Sequence, residues 1–144
     1  MDRLAKFVEA QAPVYETVTA ELRAGRKTSH WMWFVFPQLV GLGRSDTARR
    51  FALESLLEAR AFLSHPLLGP RLLACTRLVN AVEGRSAHDI FGSPDDMKFH
   101  SSMTLFHHAA PKEPAFADAL AKYFAGREDE LTLNLLKGQG DGRQ

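Results

Sequence analysis

The sequence predicts an all-α chain on three observations. Apolar residues recur at three- and four-residue spacing, Gly, Pro, Ser and Asp punctuate those runs where helices start and stop, and no stretch alternates apolar with polar residues long enough for a strand. One domain is expected, because 144 residues is a size at which a single core buries roughly two-thirds of the unfolded surface without staples or metal. Hydrophobic residues make up 45% of the chain and charged residues 24%, which excludes a disordered tail, a collagen-like repeat and a disulfide scaffold. No apolar run approaches the ~20 residues that span a bilayer. Met1-Asp2-Arg3-Leu4-Ala5-Lys6 lacks the apolar core of a secretion signal, so the expected location is cytoplasmic, without membrane contact.

The first apolar stripe is Leu4, Phe7 and Val8, followed by Val14, Tyr15, Val18 and Leu22. Pro13 suits a first helical turn, so two helices are expected at about 2–11 and about 13–24, with Gly25 as the stop. Ser29 is placed to cap a short helix that begins at His30 and is limited by Pro37. Ser55 and Glu58 form a capping box before Leu56-Leu57 and Phe62-Leu63. His65-Pro66 ends that helix, and His65 is expected to bond its terminal carbonyls. Pro70 opens the next helix, whose face of Leu72, Leu73, Thr76, Val79 and Val82 runs to Gly84; the lone Cys75 in this run reads as a buried, inert thiol.

Ser86 can cap a short turn to Phe91. The clearest helix start is Ser93-Pro94-Asp95-Asp96, which supplies a cap, a first-turn proline and two carboxylates where the helix dipole favours them. Its inner face is Met97 or Phe99, then Met103 and Phe106, and it should fade at Ala109-Ala110-Pro111. A helix from about 114 to about 125 carries Phe116, Leu120, Tyr123 and Phe124 before Gly126. Asp129 caps a last helix with Leu131, Leu135 and Leu136, stopping before Gly138. The result is about eight to ten short helices over 1–137 with a frayed tail at 138–144. Paired helices hint at a solenoid, yet no repeat recurs at a fixed period.

Charge becomes informative once it is divided. The total is +1, but Arg23, Arg26, Lys27, Arg44, Arg49 and Arg50 face only Asp46 within 23–50, a window of +5 that leaves −4 for the remainder. An anionic ligand would look there first, unless this is simply a solvated basic face. Within the window, both tryptophans stand in Ser29-His30-Trp31-Met32-Trp33-Phe34, followed by Phe36-Pro37-Gln38. On a helix, Trp31, Phe34 and Val35 would face one way and His30, Trp33 and Pro37 another, so the segment is either central core or the lining of a cavity. Indole N–H, imidazole and amide groups need partners when buried, and with Lys27 at its mouth such a cavity has the make-up of a small-ligand pocket. A second polar group, Lys98, Ser101, Ser102 and Thr104, lies on the helix after Ser93. Lysine and serine hydroxyls aimed at one point suit phosphate or carboxylate, although the same residues could form the wet face of that helix.

Other motifs exclude more than they assign. His30, His65, His88, His100, His107 and His108 include no His-x-x-x-His pair, and one cysteine makes no thiolate site, so no metal and no cofactor is expected. Gly41-Leu42-Gly43 lacks the third glycine of a dinucleotide loop and follows no strand, so it reads as a joint. No nucleophile triad, zinc-protease motif or P-loop lysine is present.

Taken together, Gly25, Lys27, Ser29 to Phe34, Phe36-Pro37-Gln38, Gly41-Leu42-Gly43, His65-Pro66-Leu67-Leu68-Gly69 with Arg71-Leu72, Phe91-Gly92, and Lys98 with Ser101-Ser102-Met103-Thr104-Leu105-Phe106 resemble domain-of-unknown-function family 1810, which is mostly bacterial. The likeness covers about Phe7 to Leu136, with Val35 where the family pattern often has isoleucine. It implies a small all-helical domain with a remote likeness to armadillo-type packing, and no established activity. Members are sometimes labelled calpastatin, but a calpain inhibitor is a long, disordered, Pro- and Lys-rich chain, unlike this compact aromatic one.

Three functional readings follow, in this order. The first is a pocket protein, conceivably an enzyme, for a small anionic ligand such as a nucleotide or sugar phosphate. Lys27 and Lys98 would hold the anion, with Ser29, Gln38, Ser101 and Ser102 as further polar contacts. Trp31 or Trp33 would stack a ring, and His30 would be the acid or base. The second is a helical module that binds a protein partner, with Trp31 and Trp33 as core. The third and weakest is nucleic-acid binding through the 23–50 window. If the lysines are solvated, Lys27→Ala and Lys98→Ala should change stability little.

Overall fold

The computed structural model describes residues 2–141. They form ten helices: α1 (Ala5–Gln11), α2 (Tyr15–Ala24), α3 (Met32–Val35), α4 (Asp46–Phe51), α5 (Leu56–Ser64), α6 (Leu68–Asn80), α7 (Ala87–Phe91), α8 (Asp95–Ala109), α9 (Pro114–Phe124) and α10 (Glu130–Asp141). Among the described residues there is no strand, only an isolated parallel bridge between Leu39 and Leu53. No described helix is long and apolar enough to cross a membrane.

The centre of the molecule is α8. It packs against α5, α7, α9 and α10, and Phe99, Ser101 to Phe106 and Ala109 are all buried. Such all-round burial means that Ser101, Ser102 and Thr104 are not a wet face. Two of the three hydroxyls bond back to carbonyls one turn earlier, Ser101 to Met97 at 3.2 Å and Thr104 to His100 at 2.9 Å, which satisfies them where water is excluded. Aromatic contacts extend the core outward. Phe36 meets Phe99 edge-on at 5.1 Å, Phe62 meets Phe106 at 5.6 Å, and Phe7 meets Phe62 at 5.2 Å, a geometry the ring quadrupoles favour.

The segment around the tryptophans is shorter in helix than its sequence suggests. Only Met32–Val35 is helical, Trp31 occupies the N-cap position, and Ser29 does not cap it. Trp31, Val35, Phe36 and Pro37 are buried, while Trp33 and Phe34 are half-buried. Four successive large apolar residues cannot all point inward from one helix face, and the chain solves this by leaving the helix after one turn.

Other boundaries differ for local reasons. Helix α6 begins at Leu68 rather than Pro70, because the His65 ring accepts the N–H groups of Leu67 and Leu68 at Nδ1 (3.1 and 3.2 Å). The His65 ring therefore serves the start of the following helix, as an acceptor, while the His65 N–H closes its own helix on the Phe62 carbonyl at 3.3 Å. Ser55 receives the Glu58 N–H, while the Glu58 carboxylate takes that of Glu54 in a displaced capping box. At α8 the N-cap is Pro94, without side-chain capping from Ser93, and Met97 is exposed where Phe99 is buried. Helix α10 runs through Gly138 to Asp141; residues 142–144 of the expected frayed tail lie outside the described residues. Cys75 is fully buried, and burial pushes its thiol up to about 12, far from a nucleophile's range.

Candidate functional site

Two charge clusters order the loop between α2 and α3. Glu21, near the end of α2, accepts the N–H groups of Thr28 (2.8 Å) and Ser29 (3.0 Å), the Ser29 hydroxyl (2.5 Å) and the Trp31 indole N–H (2.9 Å). Burial alone would raise its carboxyl, but these four donors override burial and hold it at about 2. Lys27 anchors the same loop from its other side. Its backbone N–H donates to the Ile90 carbonyl at 2.7 Å, and its Nζ lies 5.1 Å from the centre of the Trp31 ring.

The second cluster is Asp95, in the first turn of α8. Its Oδ2 meets the Lys27 ammonium at 2.7 Å and its Oδ1 the Lys98 ammonium at 3.4 Å. Two cations thus share one carboxylate. Lys27 is the interior partner, its side chain only 7% exposed. Lys98 is more open and rests over the Trp33 ring at 4.7 Å. The expectation that both lysines are solvated holds for neither, and least for Lys27: removing it takes away an ion pair and its packing on Trp31.

Beside Lys98 lies a cleft of about 210 Å³ between the 38–43 segment, α8 and the start of α10, lined by Gln38, Leu42, Gly43, Met97, His100 and Asp129, among others. A water-sized hollow of about 10 Å³ adjoins it, sharing Gln38, Gly43 and Lys98 and reaching Trp33. The loop wall is fixed in place. Val40 donates to the Leu53 carbonyl at 2.8 Å and Leu53 to that of Gln38 at 2.9 Å. At Gly43 an added Cβ would lie 2.4 Å from that of Ala48, so only glycine lets the wall approach α4 this closely. The Gly41-Leu42-Gly43 joint is therefore part of the site's frame.

Polar groups on the opposite wall are organised by Asp129. Its Oδ2 accepts the Ser101 hydroxyl (2.9 Å), the Thr132 N–H (3.1 Å) and the Thr132 hydroxyl (2.6 Å), capping α10 while facing the cleft. His100 stacks on Phe124 with ring centres 4.0 Å apart, and its Nε2 donates to the Arg127 carbonyl at 2.7 Å. At the rim stand Met97 and Leu131, 65% and 64% exposed. These two apolar side chains frame the mouth of the hollow.

Of the residues singled out in the sequence, the structure brings Gln38, Lys98 and Ser101 to the cleft and Trp33 to the hollow adjoining it. Lys27, Ser29 and Trp31 form the ordered layer behind it. His30 is exposed and lines neither space, and Ser102 is fully buried with a hydroxyl that has no partner among the described residues. Asp95, His100, Met97, Asp129 and Leu131 were not singled out as ligand contacts. The Asp95–Lys98 spacing of one helical turn was a usable signal for the first; nothing local marks the others, since the chain must fold before α10 reaches α8. Among the described residues no group of three His, Cys, Asp or Glu is arranged to hold a metal ion.

The fold and cleft define a small helical protein with a largely apolar, glycine-walled pocket that carries a few polar groups against its central helix. The chain belongs to the family described as protein of unknown function (DUF1810), whose model matches residues 1–136. It is also similar to the crystal structure of the conserved hypothetical protein Rv1873 from Mycobacterium tuberculosis, with 60% sequence identity and a TM-score of 0.92 over 93% of this chain and 96% of that one. No curated protein matches the chain.

Proposed function

We propose that the cleft beside α8 binds a small anionic ligand of the nucleotide or sugar-phosphate kind, with Lys98 as its cationic contact. The observation that carries this is the charge balance at Asp95, where one carboxylate serves two ammonium groups. Lys27 takes the shorter, buried contact, which leaves the Lys98 ammonium less fully matched beside the cleft, while Asp129 on the far wall directs its Oδ2 to Ser101 and Thr132. The Gln38 amide supplies a neutral donor, and Met97 and Leu131 supply apolar cover for the ligand's uncharged part. The role is one of binding: His100, the histidine lining the cleft, already gives its Nε2 proton to a carbonyl and is positioned by stacking.

A thermal-shift titration with phosphate and nucleoside monophosphates tests this. Ligand at a hundredfold excess over Kd stabilises the native state by about 2.7 kcal/mol. Lys98→Ala should erase that shift while lowering intrinsic stability by only ~1 kcal/mol, since its ion pair is partly exposed. A shift that survives Lys98→Ala contradicts the proposal, as does the absence of any shift in the unaltered protein. A second reading, a module that grips a protein segment between Met97 and Leu131, is favoured by the exposure of those two residues. It predicts no response to small anions, so the same titration separates the two.

A further inference from the structure

We infer that the cleft takes an elongated dianion, with one anionic end at Lys98, the other at Arg44 and an apolar stretch between them. This rests on the anion-binding reading above and extends it to the shape and charge of the ligand. The space beside Lys98 adjoins a second one. Leu42 and Leu131 line it and also line a second hollow of about 310 Å³, bounded further by Gly41, Arg44, Asn134 and Leu135. The first hollow alone is smaller than the roughly 300 Å³ at which small-molecule sites usually begin; the two together fall within that range.

Chemistry at the far end matches the near end in sign. Arg44 is exposed and forms no salt bridge with any described residue. Its planar guanidinium can take a carboxylate or phosphate through two parallel hydrogen bonds, where Lys98 offers a point charge. The N–H groups of Gly41, Leu42 and Gly43 have no backbone acceptor among the described residues, which leaves unpaired donors on the segment that carries Arg44. The one carboxylate lining this stretch, Asp129, keeps its negative charge and turns its Oδ2 to three neutral donors on Ser101 and Thr132, so an anion must sit toward the Lys98 and Arg44 ends. Leu42, Leu131 and Leu135 make the middle apolar, which suits methylenes or a ring and disfavours a third charge.

Isothermal titration of the full chain with dicarboxylates from succinate to sebacate, each beside the monocarboxylate of equal length, tests the inference, with inorganic phosphate run in parallel. One dicarboxylate length should bind about tenfold or more tighter than its monocarboxylate, a difference of about 1.4 kcal/mol. Arg44→Ala should remove that advantage and leave Lys98-dependent phosphate binding in place, whereas Lys98→Ala should weaken phosphate and dicarboxylate binding alike. Circular dichroism of both variants checks that the fold is kept. If dicarboxylates gain nothing over monocarboxylates, or keep their advantage in Arg44→Ala, the dianion inference is overturned while Lys98-dependent phosphate binding preserves the reading beneath it. If no anion binds in a Lys98-dependent way, both fall.

Discussion

Trp31→Ala should cost about 4–5 kcal/mol, the upper part of the range for deleting a buried aromatic ring. Three losses coincide there. The ring is 1% exposed and packs against Phe36 at 6.2 Å, its N–H is one of the four donors to Glu21, and its face carries the Lys27 ammonium. Against a total stability of roughly 5–15 kcal/mol, urea denaturation should show a midpoint shift large enough to leave a measurable unfolded fraction at room temperature. Trp33→Ala is the control. That ring is half-buried, and its loss should cost about 1–2 kcal/mol. Equal effects of the two substitutions would contradict the description of Trp31 as core and Trp33 as the wall of the hollow.

Glu21→Gln should cost about 2–3 kcal/mol at neutral pH and should also change how stability depends on acid. In the folded chain the carboxyl is held at about 2 against a usual 4.5. A group depressed on folding contributes stability that is fully present above its unfolded value and is lost as pH falls through its folded one. The contribution is therefore intact at pH 7 and declines between about 4.5 and about 2, with solvent at the partly exposed carboxylate trimming its size. Thermal melts of the two proteins from neutral to acid pH should converge over that interval, because the unaltered protein loses there what the variant already lacks. Parallel acid limbs would mean that the four donors do not hold Glu21 as described.

Most of the fold was legible in the sequence, and the site only in pieces, for a common physical reason. Helix existence is a local property. Caps such as Ser55 and Ser86, stops such as Gly25 and the spacing of Leu72, Thr76 and Val79 act within a turn or two, so they can be read in order along the chain. Burial is not local. Ser101, Ser102 and Thr104 read as wettable residues, yet they lie inside because α5, α7, α9 and α10 close over most of α8, and only the tertiary arrangement supplies Asp129 as partner to Ser101. The aromatic run at 31–36 was visible as a core element, but its single helical turn was not, since the acceptor that pulls Ser29 and Trp31 away from a helix start is the Glu21 carboxylate one helix earlier. Lys27 and Lys98 were nominated as partners in charge; the carboxylate that joins them, Asp95, read only as a helix-dipole residue.

The account's central claim is that a small anion is held at Lys98, in the cleft walled by the 38–43 segment. An amide chemical-shift titration with phosphate and a nucleoside monophosphate measures this most directly, because it locates the ligand without presupposing a residue. The account predicts saturable shifts confined to Gln38, Leu42, Gly43, Lys98, Ser101 and Leu131, all of which line that cleft, and their disappearance in Lys98→Ala. Shifts centred instead on the exposed arginines Arg23 and Arg26, or no saturable shift at all, would contradict it.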